Sequence, residues 1–458
     1  MDFFQKAKTY EQEAIARLCA LLKIPSVLDY KTASPEAPFG QAIEDALNYM
    51  LKIASEDGFK TVKDEGYAGH IEYGGEPEAE IVGILGHLDV VPAGSGWTYP
   101  PYEARIVGRK LYGRGAMDDK GPTMAAYYAL KMLKDLQIPL QKRVRLILGT
   151  DEETAWRGLD HYFKNHEMPT LGFSPDSDFP LIYAEKGILH LELSHKFFDT
   201  ELLLLKGGER YNIVIDEAEA ITVSDFRTEF SAYLKNNQLK GTTITTQKDN
   251  QTTYHYKVEG IASHAMEPEK GINAGTHLAS FLKEVITNPL LDFINDFFHQ
   301  DFNLKHLDAF FEHPEMGPVT CNVGIINLSQ EEGSIGIDIR YPIDFDVNLF
   351  LDKLIKKLKL YNLEITNKTN KTPHYVPIDS QLVQTLYESY VKYTNDFKNK
   401  PKTIGGGTYA RALKQGVAFG MEMPWATSQA HQRDEMMDID DFILAMAIYA
   451  EAIMRLGR

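Results

Sequence analysis

Two apolar runs, each cut off by titratable residues, constrain this chain more than anything else in it. Residues 81–85 are continuously apolar and stop on Gly86-His87-Leu88-Asp89, and residues 144–148, apolar but for Arg145, stop on Gly149-Thr150-Asp151-Glu152-Glu153. A run of this kind predicts a strand buried on both faces, the environment found inside a parallel sheet. Strands alternating with helical patterns predict an α/β sheet, and ligands gather beyond the carboxyl ends of its strands. His87, Asp89, Glu152 and Glu153 all stand at such ends. Charge at the mouth of a buried strand costs several kcal/mol to leave unpaired, so a cation is expected there.

Taken in order, apolar spacing predicts helices over residues 10–24, 41–55 and 122–136, and strands over 60–62, 70–73 and 105–112. Near residue 188 the pattern changes to alternating segments (189–194, 242–246, 253–258, 319–326 and 334–341) with helices at 272–285 and 350–360. Alternation predicts antiparallel pairing with helices on one face. After a polar Lys/Asn/Thr-rich stretch at 367–372 the α/β pattern returns, with a helix at 379–393, the glycines 405–407, a strand at 416–421 and a last helix at 440–454. The expected architecture is an α/β domain with a mixed, mostly parallel sheet flanked by helices, formed by residues 1–187 and 377–458. Into it residues 188–376 are inserted as an α+β domain with an antiparallel sheet.

The chain has 458 residues, enough for roughly two or three domains. Its formal net charge of −17 opposes phosphate backbones and anionic membrane surfaces, so neither nucleic acid nor membrane is expected as a partner. The two cysteines, Cys19 in a helical pattern and Cys321 in a strand pattern, read as buried small hydrophobes in a reducing compartment. The first residues lack a basic segment followed by an apolar one, and no window approaches about 18 apolar residues. A cytoplasmic location is the expectation.

Each candidate residue also has a bland reading. His87-x-Asp89 puts two side chains on one face of an extended strand end, where a histidine can bind metal while the aspartate fixes its tautomer. A core histidine with a capping aspartate would look the same. Asp118 and Asp119 lie in a glycine-rich turn, GRGAMDDKG, which suits either a bridging carboxylate or an ordinary exposed turn. Glu152 and Glu153 resist the bland reading better. Successive side chains of extended chain point apart, so one can hold metal while the other faces substrate as a base. Asp176, in SPDSDFP, and His431, in AHQRDE, complete the candidates. No HExxH helix, phosphate loop, complete GxGxxG or GxSxG elbow occurs.

Together the stretches GHLDVVPAGSGWTYPPYEA, YGRGAMDDKGP, GTDEETAWRG, SPDSDFP, GIASHAMEPEKGINA, DIRYP, GGGTYAR and AHQRDE resemble, in order and over nearly the whole chain, the two-zinc aminoacylase and carboxypeptidase G-like metallopeptidase family. The likeness is to its bacterial PepV-type dipeptidases. The resemblance implies a catalytic domain carrying the site and an inserted lid. It implies His87 and Asp176 on one zinc, Glu153 and His431 on the other, and Asp118 bridging them, with Asp119 outside the ligand set. Glu152 would be the general base and Asp89 the orienter of His87. His264 would stabilise the developing oxyanion and Arg340 would engage the substrate carboxylate. Asn212, Gly407, Thr408 and Arg411 would contact substrate.

Oxygen and nitrogen ligands without thiolate suit zinc, and cobalt or manganese would be chemically acceptable. The implied reaction is hydrolysis of an unblocked dipeptide, with a small peptide as the sole partner. An inserted domain of roughly 190 residues, long enough to cover the site within one chain, implies a monomer. The nearest rival is an N-acyl amino acid deacylase or desuccinylase of the same family. A non-catalytic binding protein on this scaffold would be expected to have lost ligands or base.

Overall fold

The computed structural model describes residues 2–197, 199–248, 251–427 and 429–458. The chain divides into two compact units, one comprising Met1–Ala184, Tyr375–Lys402 and Thr408–Arg458, the other Glu185–His374 with Thr403–Gly407.

The sheet of the first unit runs Lys60–Asp64, Ala68–Tyr73, Arg143–Gly149, Ile81–His87, Leu171–Ser174, Gly416–Ala418 and Ile182–Glu185. Its centre is parallel and its flanks antiparallel. Every residue of Ile81–His87 and of Arg143–Gly149 is buried, as two-sided coverage requires. Ile81 pairs with Arg143 and His87 with Gly149, so both strands end at the same level. The helices Lys120–Asp135 and Ile439–Leu456 are apolar nearly all round and buried along most of their length. Contact between helix and sheet is close at Gly86, where a Cβ would stand 2.0 Å from the Thr123 hydroxyl oxygen.

The second unit holds an antiparallel sheet in the order Lys240–Lys248, Gln251–Glu259, Glu217–Thr222, Leu202–Gly207, Thr320–Leu328, Glu332–Tyr341, Gly187–Lys196 and Glu364–Lys371. Period-two alternation sends Leu189, Leu191 and Leu193 into one core with the helices Ala274–Val285, Pro289–Phe297 and Val347–Leu360. The opposite face takes His190, Asn322, Asp338 and Arg340, with Asp338 paired to both His190 and Asn322 and Arg340 two residues further along the same strand.

Two expected strands are broken in the structure, and a third strand carries no sequence signal. Residues 105–112 form two strands, Arg105–Val107 and Lys110–Tyr112, folded on each other through Gly108 at φ +62°. All of the polar stretch at 367–372 but Thr372 lies in the edge strand Glu364–Lys371, paired with Gly187–Lys196. An edge strand needs no apolar face, and its lysines and threonines are compatible with pairing on one side only. The strand at 416–421 breaks after Ala418 and resumes at Met421–Glu422, with Gly420 at φ +81° between.

One buried histidine gives a pH-dependent stability. His70 is 3% exposed, and its Nδ1 lies 2.8 Å from the Tyr162 hydroxyl. Burial, reinforced by the Arg145 guanidinium, pulls its pKa down to about 3. An unfolded histidine titrates near 6.5, so between about pH 6.5 and 3 the unfolded chain binds a proton that the folded chain refuses. Stability from this group is therefore complete above about pH 6.5 and falls by about 1.4 kcal/mol for each pH unit below it. His70→Gln should flatten the loss of stability between about pH 6.5 and 5, measured as the urea midpoint.

Candidate active site

The equal ends of Ile81–His87 and Arg143–Gly149 deliver His87 and the 150–153 turn to one edge of the sheet. Leu171–Ser174 pairs in parallel with the first of these and stops just before Asp176. Asp118 arrives from the glycine-rich turn that precedes Lys120–Asp135, and His431 from a loop at φ +63°.

These side chains converge. His87 Nε2 lies 3.1 Å from Asp118 Oδ1 and 3.6 Å from Asp176 Oδ2, and His431 Nε2 lies 2.9 Å from Asp118 Oδ2 and 3.1 Å from Glu153 Oε2. Ligand atoms of His87, Asp118 and Glu153 fall within 4.8 Å of one another, as do those of His87, Glu152 and Asp176. Asp118 thus touches both imidazoles.

His87 Nδ1 is 3.0 Å from the Asp89 main-chain oxygen. Donation there puts the ring proton on Nδ1 and leaves the Nε2 lone pair facing the carboxylates. His87 is fully buried, and although Nε2 and Asp118 Oδ1 are close, neither has a hydrogen-bond partner. Two buried ligand atoms that approach without bonding fit a shared cation between them.

The electrostatics agree. Burial pushes Glu152 up to about 8 and also raises Glu153 and Asp176. Burial would raise Asp118 as well, but the imidazoles of His431 and His87 outweigh it and hold the carboxyl well below the usual range. Asp118 and Glu153 in turn lift His431 to about 10, and around His87 three aspartates overcome burial and push the ring well above its ordinary value. Three raised acids and two raised imidazoles around the one lowered carboxylate, Asp118, describe a cluster short of positive charge. Two imidazoles and three or four carboxylates are a donor set for zinc, cobalt or manganese.

Asp89 lies beside His87 and holds a second element as well. Its carboxylate is 3.5 Å from His87 Nδ1 but accepts the main-chain N–H of Glu152 at 3.1 Å and of Glu153 at 3.0 Å. The main-chain oxygen orients the ring, and the carboxylate fixes the adjacent acidic turn, because two N–H donors point at it. Asp119 is fully buried and structural, accepting from the His87 N–H at 2.9 Å and the Thr123 hydroxyl at 2.8 Å.

In the second unit, Asn212, His264, Arg340 and Gly405–Gly407 come together. The Ala265 N–H donates to the Asn212 main-chain oxygen at 3.0 Å, and Ile213 bridges His264. His264 Nδ1 accepts from the Met266 N–H at 3.1 Å, so the neutral ring carries its proton on Nε2. Burial, with Arg340 adding to it, lowers the His264 pKa and favours that neutral form. Arg340 is held by Asp338 through Nε at 2.6 Å and Nη2 at 2.7 Å, and by the Gly405 carbonyl through Nη1 at 3.2 Å. Thr408 and Arg411 belong to the first unit, where the Thr408 hydroxyl caps the turn Tyr409–Ala412 by accepting from Ala410 N–H at 3.3 Å.

Glu435 was not singled out by sequence reasoning. Fully buried, it accepts the N–H groups of Gly115, Met117 and Asp118 at 3.0, 2.9 and 3.1 Å and pairs with Arg114 at 2.5 Å. It stands four residues after His431 and so ties the loops of both ligands together. Its partners lie more than 300 positions away, and no local pattern announces them.

An acid and imidazole cluster at the carboxyl edge of an α/β sheet, in a chain that also carries an antiparallel unit, is a candidate metal centre. The pattern of Peptidase family M20/M25/M40 matches residues 83–455. A Bacillus subtilis (strain 168) relative called "Putative dipeptidase YtjP" is 41% identical over 452 residues, covering 95% of this chain and 96% of its own. A relative of the same description from Staphylococcus aureus (strain USA300) is 40% identical over 470 residues, covering 99% of this chain and 98% of its own. The fold is similar to an M20 family metallo-carboxypeptidase from Sulfolobus solfataricus, with TM-score 0.58, 19% identity and coverage of 97% and 99%. It is also similar to Dug1p, a di-peptidase from Saccharomyces cerevisiae, with TM-score 0.57, 14% identity and coverage of 99% and 98%. The chain belongs to peptidase family M20/M25/M40 and is a peptide hydrolase. No helix among the described residues is long and apolar enough to cross a membrane.

Proposed function

We propose that this enzyme hydrolyses the peptide bond of unblocked dipeptides with two zinc ions. The carrying observation is the convergence of His87 Nε2 and Asp118 Oδ1, buried, adjacent and without hydrogen-bond partners. The names of the relatives support the substrate class. His87 and Asp176 would hold one ion, Glu153 and His431 the other, and Asp118 both. When bound, such a pair lowers the pKa of a water and polarises the scissile carbonyl.

The chain's own residues do the rest. Glu152 takes the proton of the attacking water and returns it to the leaving amine nitrogen. The turn that carries Glu152 is fixed by Asp89, so the carboxyl meets the water without searching. His264 donates from Nε2 to the developing oxyanion. Arg340 binds the substrate's terminal carboxylate through the Nη1 and Nη2 hydrogens that Asp338 and the Gly405 carbonyl do not take, and Asn212, Gly407, Thr408 and Arg411 complete the contacts. In this reading residues 1–187 and 377–458 are the catalytic domain and residues 188–376 the lid of a cytoplasmic monomer.

A panel of free dipeptides and N-acyl amino acids, assayed with metal content measured in parallel, tests the reading. Turnover of free dipeptides with close to two zinc ions per chain is expected. Turnover confined to acylated amino acids would replace it with a deacylase.

A further inference from the structure

The geometry points to Trp156 as the positioning residue of Glu152, an inference that rests on reading Glu152 as the base. The indole Nε1–H donates to Glu152 Oε1 at 3.1 Å. One carboxylate oxygen is thereby engaged, and Oε2 is left to take the proton of the water and hand it to the leaving amine.

The local backbone is built for this contact. Trp156 sits at φ +59°, in the left-handed region that a bulky side chain rarely adopts. Such a conformation persists where its surroundings over-determine it, and functional sites are where these residues cluster. Here the surroundings are Asp151 and Arg157. The Trp156 N–H donates to the Asp151 carbonyl at 2.8 Å, and Arg157 grips the Asp151 carboxylate through N, Nε and Nη2 at 2.9, 2.8 and 2.6 Å. The acidic turn is closed by these bonds, and the indole is the part of it that reaches back to Glu152.

Packing fixes the ring itself. Tyr409, fully buried, meets the indole edge to face at 5.3 Å and 70°, and meets the His87 ring at 5.9 Å and 89°. The same phenol ring therefore sets the position of a proposed metal ligand and of the group that orients the proposed base. Gly149 makes room for it, since a Cβ there would stand 2.0 Å from the Tyr409 hydroxyl oxygen. A glutamate has three side-chain torsions, and without the indole N–H its carboxylate would leave the reactive rotamer for part of the time.

Trp156→Phe keeps an aromatic ring and removes the donor. Its kcat should fall about tenfold or more, with KM within about twofold and metal content unchanged. Replacement by benzothienylalanine, which keeps the indole's shape and lacks the N–H, should reproduce that fall if Phe disturbs packing. A third measurement does not depend on turnover: the Trp156 indole N–H proton resonance, assigned by its absence in W156F, should move upfield in E152A. Wild-type kcat in the benzothienylalanine protein, whatever Trp156→Phe does, or an unmoved resonance, overturns the positioning role while leaving Glu152 as the base. Full activity of E152Q instead overturns the base assignment, and this inference with it.

Discussion

Glu152→Gln is expected to keep its metals and its fold and to lose turnover by about a thousandfold, within the range of about 10² to 10⁴ that a positioned base contributes. Glutamine matches the carboxylate in size and can still accept the Trp156 indole N–H, so the turn held by Asp89 should stay in place. What disappears is the ability to take a proton and give it back. Steady-state kinetics beside metal analysis checks this. Lost zinc would make Glu152 a ligand, which its closeness to His87 and Asp176 makes a concrete alternative.

Glu435→Ala is expected to cost about 3–5 kcal/mol of stability and to weaken metal binding about tenfold or more. Arg114 is 2% exposed and pairs with Glu435, so the substitution strands a buried guanidinium. The N–H groups of Gly115, Met117 and Asp118 lose their shared acceptor at the same time, and Asp118 is the carboxylate that touches both imidazoles. Arg114→Met combined with Glu435→Gln removes the stranded charge while keeping an acceptor, and should recover most of the stability. Urea unfolding and competition with a chromophoric chelator read the two effects separately. An unchanged metal affinity in Glu435→Ala would show that the Asp118 loop holds its shape unaided.

The central strands were legible because burial on both faces keeps 81–85 free of polar side chains and admits into 144–148 only Arg145, which Glu72 pairs at 2.7 Å, and because those runs end on the site. The antiparallel unit was legible from period-two alternation, as in Leu189, Leu191 and Leu193. The edge strand Glu364–Lys371 has no sequence signal of its own, because an edge strand carries no apolar stripe to betray it. At the site, His87 and the adjacent glutamates are announced by where their strands stop. The division of labour within Asp89, between main-chain oxygen and carboxylate, depends on which N–H groups the fold brings near. The roles of Trp156 and Glu435 likewise exist only in three dimensions, the first through a left-handed turn and the second through partners at the far end of the chain.

The pairing of His87 with Gly149 gives the sheet the role of a ruler. Deleting one residue from Arg143–Gly149 would draw Glu152 and Glu153 back by about 3.3 Å and turn every following side chain to the other face. Such a chain could still bury an apolar strand and fold, yet its acids would no longer reach His87. Insertions and deletions in this enzyme are therefore filtered by chemistry inside the parallel strands and by stability elsewhere, so that length can drift in the surface loops while the distance along those two strands stays fixed.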